Sequence, residues 1–222
     1  MMNETINTPR GSVSTLMQLP PGAVALLVLG HGAGADMRHH HMESLADALA
    51  SAGIGTLRFN FPFKEAGGNR TDPVDVCVDT IANAVALAGR MSTLPLLLGG
   101  HSFGGRMASH YAAHGPEAAL RGLIYFSFPL HPAGKTGTKR AAHLPDIALP
   151  QLFVSGTRDA LADTATLQHV IADLPLARLH EIDTADHSFK PLKRSRTSTE
   201  DVYVEAARVA RGFVDSISGG SA

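Results

Sequence analysis

Short apolar runs alternate along the chain with segments of helical periodicity. The runs are AVALLVL (23–29), IGTLRF (54–59), LPLLL (94–98), GLIYFSF (122–128), QLFVS (151–155) and LARLHEI (176–182). They are apolar on both faces, which is typical of strands in a sheet that helices cover on both sides. Strands that alternate with helices need right-handed crossover connections. The pattern therefore predicts an α/β fold with a mostly parallel sheet and helices on both faces.

Two of the helical segments have clear apolar faces and start signals. Residues 71–90 carry an apolar stripe spaced by three and four positions, with Asp72 as the predicted N-cap and Pro73 at the first helical position. The last helix is predicted to open at TSTE, where Thr197 and Glu200 have the spacing of a capping box. Both segments are long enough to cover a sheet face.

The chain is predicted to form one α/β domain over residues 1–222. Its 222 residues are 44% hydrophobic, which is enough for one sizeable core. Residues 14–19 (STLMQL) predict an antiparallel edge strand. Residues 1–12 and the glycine–serine tail 218–222 are predicted to be frayed.

Composition excludes several classes of partner. A formal net charge of -1 offers no global attraction for nucleic acid or anionic lipid, so neither nucleic acid nor membrane is expected as a partner. The start lacks an apolar run of signal-peptide length, and Cys77 is the single cysteine, on the apolar stripe of its helix. We therefore expect a cytoplasmic protein without a disulfide. The sequence does not determine the oligomeric state.

The segment 94–110 (LPLLLGGHSFGGRMASH) carries the strongest chemical signal. An apolar strand runs into a G-x-S-x-G turn, with Ser102 between Gly100 and Gly104, and then into a helix. This pattern is typical of a nucleophile elbow, which exposes a serine hydroxyl at the end of a strand. The alternative is an ordinary glycine-rich turn in which Ser102 only caps the helix.

Serine chemistry also needs a base and an acid that orients it. Asp159 follows the strand QLFVS in GTRDALAD, and His187 follows the strand LARLHEI in DTADHSF. Open sheets bind ligands at the carboxyl ends of their strands. The order Ser102, Asp159, His187 is that expected after a nucleophile elbow. Asp159 could instead be a helix N-cap, and Asp163 is the rival acid.

The glycine-rich segment after the first apolar run predicts an oxyanion hole. LGHGAGADM places His31 to Gly34 in a tight turn, and the backbone N–H groups of Ala33 and Phe103 are the expected donors. A phosphate cradle is the alternative, but GHGAG lacks both the dinucleotide-binding spacing and a P-loop lysine. We therefore expect no cofactor.

Three other features have weaker interpretations. Phe61 or Phe63 in RFNFPF is a candidate for the substrate pocket, and core packing explains them equally well. The histidines of RHHHME (38–43) point in different directions on a helix, so no metal is expected there. His101 is expected to pack beneath the turn rather than to transfer protons.

The motifs HGAG, GHSFGG, GTRD and ADHSF occur in the order found in the α/β-hydrolase superfamily. The chain resembles its small, lid-poor members related to dienelactone hydrolases, a group whose eukaryotic relatives include a subunit of a histone acetyltransferase complex. The resemblance implies a serine hydrolase fold with Ser102, Asp159 and His187 as the catalytic triad. Dienelactone hydrolases carry a cysteine at the elbow, so their lactone reaction is not carried over.

The predicted activity is hydrolysis of a small carboxylic ester or thioester through an acyl-enzyme on Ser102. Only about twenty residues separate GLIYFSF from the next strand, which is too few for a helical cap domain, so an open site is expected. Peptidase and acyltransferase activities stay open. The alternative from another class is a binding or scaffold protein on a hydrolase fold.

Two basic segments are expected near the rim of the site. Both follow the carboxyl ends of predicted strands, and neither contains an acidic residue. Their basic residues are Lys135, Lys139, Arg140, Lys190, Lys193, Arg194 and Arg196. Such a field would favour anionic substrates, and an ordinary solvated surface is the alternative.

Overall fold

One eight-stranded sheet organises the chain in a computed structural model that describes residues 2–115 and 120–219. The strand order across the sheet is β1-β2-β4-β3-β5-β6-β7-β8. The strands are β1 (Met2–Thr8), β2 (Gly11–Gln18), β3 (Ala25–Gly30), β4 (Ile54–Phe59), β5 (Leu96–His101), β6 (Leu120–Phe126), β7 (Gln151–Gly156) and β8 (Ala177–Ile182).

The six strands from β4 to β8 in this order pair in parallel. Strand β2 pairs antiparallel with β4, and β1 pairs antiparallel with β2. The mostly parallel sheet predicted from the apolar runs is therefore confirmed. Because the parallel strands point the same way, the loops after β3, β5, β7 and β8 meet at one edge of the sheet.

Helices cover both faces of the sheet, as predicted. The helices are α1 (His40–Ser51), α2 (Pro62–Glu65), α3 (Val74–Met91), α4 (Phe103–Ala113), α5 (Thr164–Ala172) and α6 (Val202–Ser218). Helices α1 and α6 share one apolar cluster with the sheet, while α3 and α4 on the opposite face share another and α5 extends that layer. The segment 127–150 contains only two 3-10 turns and no helical cap. Of the described helices, none combines the length and apolarity needed to cross a membrane.

The expectation of a frayed amino terminus is wrong for β1. This strand pairs residue by residue with β2 along its whole length, so β2, the predicted edge strand, lies one position inside the edge. Only Ile6 of β1 is buried, which is why the polar segment gave no strand signal. At the other end, α6 continues to Ser218, and residues 220–222 of the predicted frayed tail lie outside the described residues.

Both predicted helix caps are also wrong. Helix α3 begins at Val74 without a side-chain cap, because the carboxylate of Asp72 accepts hydrogen bonds from Phe63 N at 2.8 Å and from Arg10 Nη1 at 3.0 Å. Helix α6 is capped by Asp201. The Asp72 side chain, which local spacing predicted to cap the helix, therefore binds partners elsewhere in the chain.

Candidate active site

Ser102 lies on a sharp turn between β5 and α4. Its backbone has φ 50° and ψ −110°, a strained conformation for a residue with a side chain. The turn is possible because glycines allow close backbone contact: a Cβ on Gly104 would lie 2.3 Å from the Gly30 oxygen, and one on Gly100 would lie 2.5 Å from the same atom. The geometry is that of the predicted elbow.

We expect Gly104→Ala to lower the free energy of unfolding by roughly 2 kcal/mol or more, because the added methyl group collides with backbone rather than with a movable side chain. Gly212→Ala is the matched control, since a Cβ at that position in α6 would meet no atom within 4 Å apart from the neighbouring backbone of the helix itself. The control should raise stability by about 0.5 to 1 kcal/mol. Urea unfolding followed by circular dichroism measures both, because the chain has no tryptophan. Equal stabilities of the two variants would contradict the packing explanation.

The hydroxyl of Ser102, the imidazole of His187 and the carboxylate of Asp159 form a hydrogen-bonded array, here called the Ser–His–Asp array. Ser102 Oγ lies 2.8 Å from His187 Nε2, and His187 Nδ1 lies 2.8 and 2.9 Å from the two oxygens of Asp159. The carboxylate only accepts, so Nδ1–H donates to it and Nε2 is left to accept the serine proton. The structure therefore brings together three residues 85 and 28 positions apart in the sequence.

Burial sets the electrostatics of the array. The side chain of Asp159 is 0% exposed, whereas that of His187 is 22% exposed and so reaches solvent. Asp159 Oδ1 also accepts a hydrogen bond from Leu161 N at 2.8 Å. A buried carboxylate held in this way can fix the imidazole in one tautomer and stabilise its positive charge.

Gly156 allows the loop that carries His187 to pass close to the end of β7. The sequence analysis did not assign this role to Gly156. It is the last residue of β7, and a Cβ there would lie 2.2 Å from the oxygen of Ala185. The loop that carries His187 therefore passes against the end of the strand that precedes Asp159. The signal available in the sequence was a glycine at the end of an apolar run.

The turn after β3 lies beside the Ser–His–Asp array. Ala33 lines the same cleft as Ser102, and Ala35 N closes the turn on Gly32 O at 3.0 Å. Within the described residues, neither Ala33 N nor Phe103 N donates a hydrogen bond. Phe103 is the first residue of α4, where backbone N–H groups have no partner inside the helix. Both predicted donors thus lack a hydrogen-bond acceptor within the described residues, and of the two residues Ala33 lines the cleft of Ser102.

A buried histidine anchors this turn. His31 Nε2 accepts a hydrogen bond from Phe61 N at 3.1 Å, and Nδ1 donates to Gly32 O at 2.8 Å. Burial lowers the pKa of His31 from 6.5 to about 4, so the ring stays neutral at pH 7 with the tautomer that these bonds require. The histidine of HGAG, His31, is therefore structural.

An open cleft of about 1070 Å³ contains Ser102 and His187, and we call it the Ser102 cleft. One wall comes from residues 32–41, which include the turn after β3. The other wall comes from residues 187–203, between the loop of His187 and the start of α6. The hydroxyl of the Ser–His–Asp array is thus accessible to a small molecule.

A sequence model of the alpha/beta hydrolase domain matches residues 23–215, which is most of the chain. The chain belongs to the alpha/beta hydrolase family. The match spans all three members of the Ser–His–Asp array and both predicted oxyanion donors. It begins after β1 and β2, the antiparallel strands at the sheet edge.

Solved structures share the fold of this alpha/beta hydrolase at low sequence identity. Dienelactone hydrolase from Anabaena variabilis has a TM-score of 0.76 and 19% identity, covering 97% of this chain and 96% of that one. Est1E from Butyrivibrio proteoclasticus, solved with ferulic acid, has a TM-score of 0.76 and 15% identity, covering 96% and 99%. A serine hydrolase without lid from Xanthomonas campestris has a TM-score of 0.71 and 21% identity, covering 97% and 92%.

The rival acid of this alpha/beta hydrolase has a different partner. Asp163 caps α5 by accepting a hydrogen bond from Thr166 N at 3.0 Å. The suggested N-cap role of Asp159 is not observed, since α5 begins at Thr164. Asp159 therefore belongs to the Ser–His–Asp array, whereas Asp163 caps a helix.

The structure does not bring the two candidate pocket phenylalanines to the Ser102 cleft. Phe61 is 0% exposed and Phe63 is 6% exposed, and both pack edge-on against His31 and Phe103 in the core. Neither lines the cleft. The core-packing alternative accounts for both positions, because the turn after β4 directs these rings under the elbow helix.

His101 of this alpha/beta hydrolase packs between His41 and the loop of His187, and it lines the Ser102 cleft. Its Nε2 lies 2.9 Å from the carbonyl oxygen of His187, and its ring packs 4.2 Å from that of His41. Burial lowers the pKa of His101 from 6.5 to about 4. The neutral ring must therefore place its one proton on Nε2, because a carbonyl can only accept.

The three neighbouring histidines at the start of α1, His39, His40 and His41, do not form a metal site. His39 precedes the helix and accepts a hydrogen bond from His41 N at 3.3 Å, while His41 Nδ1 lies 3.0 Å from the Tyr203 hydroxyl. Across residues 2–115 and 120–219, no group of three or more histidine, cysteine or acidic side chains is placed to hold a metal ion.

Proposed function

We propose that the protein is a serine hydrolase that cleaves a small carboxylic ester or thioester through an acyl-enzyme on Ser102. The observation that carries this proposal is the unbroken Ser–His–Asp array, with its hydroxyl on the wall of an open cleft. A hydroxyl needs a base within hydrogen-bond reach to act as a nucleophile, and here the distance is 2.8 Å.

In the first half of the reaction, Ser102 Oγ attacks the carbonyl carbon while His187 Nε2 takes the hydroxyl proton. The tetrahedral intermediate collapses as His187 returns that proton to the departing alcohol or thiol, which leaves the acyl group on Ser102. Water then repeats the sequence, with His187 as its base, and releases the carboxylic acid. Asp159 stabilises the imidazolium in both halves.

The oxyanion of the intermediate needs hydrogen-bond donors that are free before substrate arrives. We assign this role to Ala33 N and Phe103 N, supported by the absence of a hydrogen-bond acceptor for either among the described residues. Ala33 is held by the turn that His31 anchors. Two such donors can stabilise the oxyanion formed from an acyl carbonyl.

A panel of short-chain 4-nitrophenyl esters and acyl thioesters tests the proposal. We expect hydrolysis of at least one class above the rate of the Ser102→Ala protein, because that variant keeps the cleft and lacks the nucleophile. Absence of turnover on the whole panel by the folded protein would favour a binding or scaffold role. Preference for thioesters over oxygen esters would define the leaving group.

We expect His101→Phe to lower kcat by roughly 10- to 100-fold with little change in KM, because the His187 loop loses a hydrogen bond that positions the base. His101→Gln keeps an N–H donor and should lose less. Initial rates on the best ester of the panel give the two parameters. Equal losses for Phe and Gln, or a change in thermal stability alone, would contradict this positioning role.

A further inference from the structure

The basic segment that follows His187 forms part of the Ser102 cleft, whereas the other basic segment does not. Lys190, Lys193 and Arg196 line the cleft on the wall 187–203. Four residues that we expected at the rim do not line it, namely Lys135, Lys139 and Arg140 of the first segment and Arg194 of the second. The expectation of two basic segments at the site is thus corrected to one.

The acidic residues of the cleft already have partners. Of its described lining residues, only Glu200 and Asp201 are acidic. Glu200 accepts two hydrogen bonds from Arg208, at 2.9 and 3.1 Å. Asp201 caps α6 by accepting from the backbone N–H of Tyr203 at 2.8 Å. Glu200 is thus paired with a cation outside the cleft lining, whereas Asp201 keeps its negative charge at the start of α6, and neither forms an ion pair with a described lysine or arginine of the cleft.

One of the three cations is also engaged. Arg196 forms an ion pair with one carboxylate oxygen of the buried Glu205, and His180 contacts the other oxygen. Lys190 and Lys193 have exposed side chains and no ion pair within the described part of the chain. Of the described lysines and arginines that line this cleft, these two are therefore the ones without an ion-pair partner.

The backbone that carries Lys190 is held in place. Asp186 Oδ1 accepts hydrogen bonds from Ser188 N at 2.8 Å and from Lys190 N at 3.0 Å. Ala185 forms a β-bridge with Pro191 just beyond it. The lysine side chains thus extend from an ordered turn that begins directly after His187.

The cleft is larger than a minimal ester requires. Its volume of about 1070 Å³ exceeds the upper end of the range of about 300 to 1,000 Å³ typical of small-molecule sites. A short acyl group and its alcohol fill only part of that space. The remainder of the cleft, one wall of which is formed by residues 187–203, has room for a further substituent.

We propose that Lys190 and Lys193 form an anion subsite that selects esters bearing a carboxylate or phosphate away from the scissile carbonyl. This inference rests on the hydrolase function proposed above. Charges on the walls of a concave site act on a ligand more strongly than charges on an open surface, and they raise the association rate of an opposite charge. The effect weakens as salt screens it.

Matched substrates and variants test the subsite. The acyl-side pair is mono-4-nitrophenyl adipate and its neutral methyl ester. The alcohol-side pair is 4-(acetoxymethyl)benzoate and its neutral methyl ester. The cleft variant is Lys190→Gln with Lys193→Gln, and the control is Lys135→Gln with Lys139→Gln, which removes the same charge outside the cleft.

We expect the native protein at low ionic strength to show a kcat/KM for one anionic ester roughly 10-fold above that of its neutral partner. High salt and the cleft variant should each remove this advantage, while the control variant keeps it and neutral esters change less than about 2-fold. The pair that responds identifies the side of the ester that carries the charge. An anionic ester without a salt-sensitive advantage, or equal losses in both variants, would overturn the subsite.

Failure of the subsite and failure of the hydrolase proposal give different results. Cleavage of neutral esters without anionic preference removes only the subsite. If no ester is cleaved, calorimetric binding of adipate still tests it, because the native protein and the control should bind adipate more tightly than the cleft variant. Equal binding by all three proteins would overturn it.

Discussion

Ser102→Ala is expected to reduce ester turnover by roughly 10⁴- to 10⁶-fold while the protein stays folded. The hydroxyl is the only group of the Ser–His–Asp array that can form the acyl bond, and alanine leaves His187 without a proton to accept. The residual activity of the variant should come only from substrate binding and from stabilisation by the oxyanion donors. Initial rates on a chromogenic ester, with circular dichroism as the check on folding, measure the effect.

Ser127→Ala is the control for this variant. Ser127 also has a positive φ, of 56°, and it follows the neighbouring strand β6. Its buried hydroxyl has no hydrogen-bond partner in the described structure and it does not line the Ser102 cleft. We expect turnover within about 3-fold of the native value. If both variants lost activity alike, strain at these turns rather than nucleophilic chemistry would be the explanation.

Asp159→Asn is expected to lower turnover by roughly 10³- to 10⁴-fold, because the amide neither holds the Nδ1–H tautomer of His187 nor stabilises the imidazolium. Asp163→Asn is the matched control. Asparagine caps a helix about as well as aspartate, so this change should leave both turnover and stability nearly unchanged. The same ester assay compares the two variants. A larger loss of turnover for Asp163→Asn than for Asp159→Asn would assign the acid that orients His187 to Asp163.

The parallel part of the sheet and the Ser–His–Asp array could both be predicted from short sequence patterns. Apolar runs mark the strands, and parallel strands end at one edge, so polar residues after β5, β7 and β8 meet there. By contrast, β1 is polar except for the exposed Met2 and the buried Ile6, and its partner strand supplies hydrogen bonds rather than an apolar face. A pattern of hydrophobic residues does not reveal such a strand.

The walls of the cleft could not be predicted because they depend on contacts between distant segments. Phe61 was a reasonable pocket candidate after β4, yet its backbone N–H bonds to His31 and its ring packs in the core. Asp72 does not cap α3 as predicted, because its carboxylate accepts hydrogen bonds from Phe63 N and Arg10 Nη1. His101 contacts the carbonyl of His187, 86 positions away. Each of these contacts requires the folded chain.

Fluorophosphonate labelling tests the proposed nucleophile most directly, because the reagent bonds covalently to an activated serine. Mass spectrometry of the labelled native protein should show one adduct per chain, located on the tryptic peptide that contains Ser102, and Ser102→Ala should abolish it. Asp159→Asn should label far more slowly, since its base is poorly oriented. An adduct on another residue, or a folded native protein that remains unlabelled, would contradict the assignment of Ser102 as an activated nucleophile.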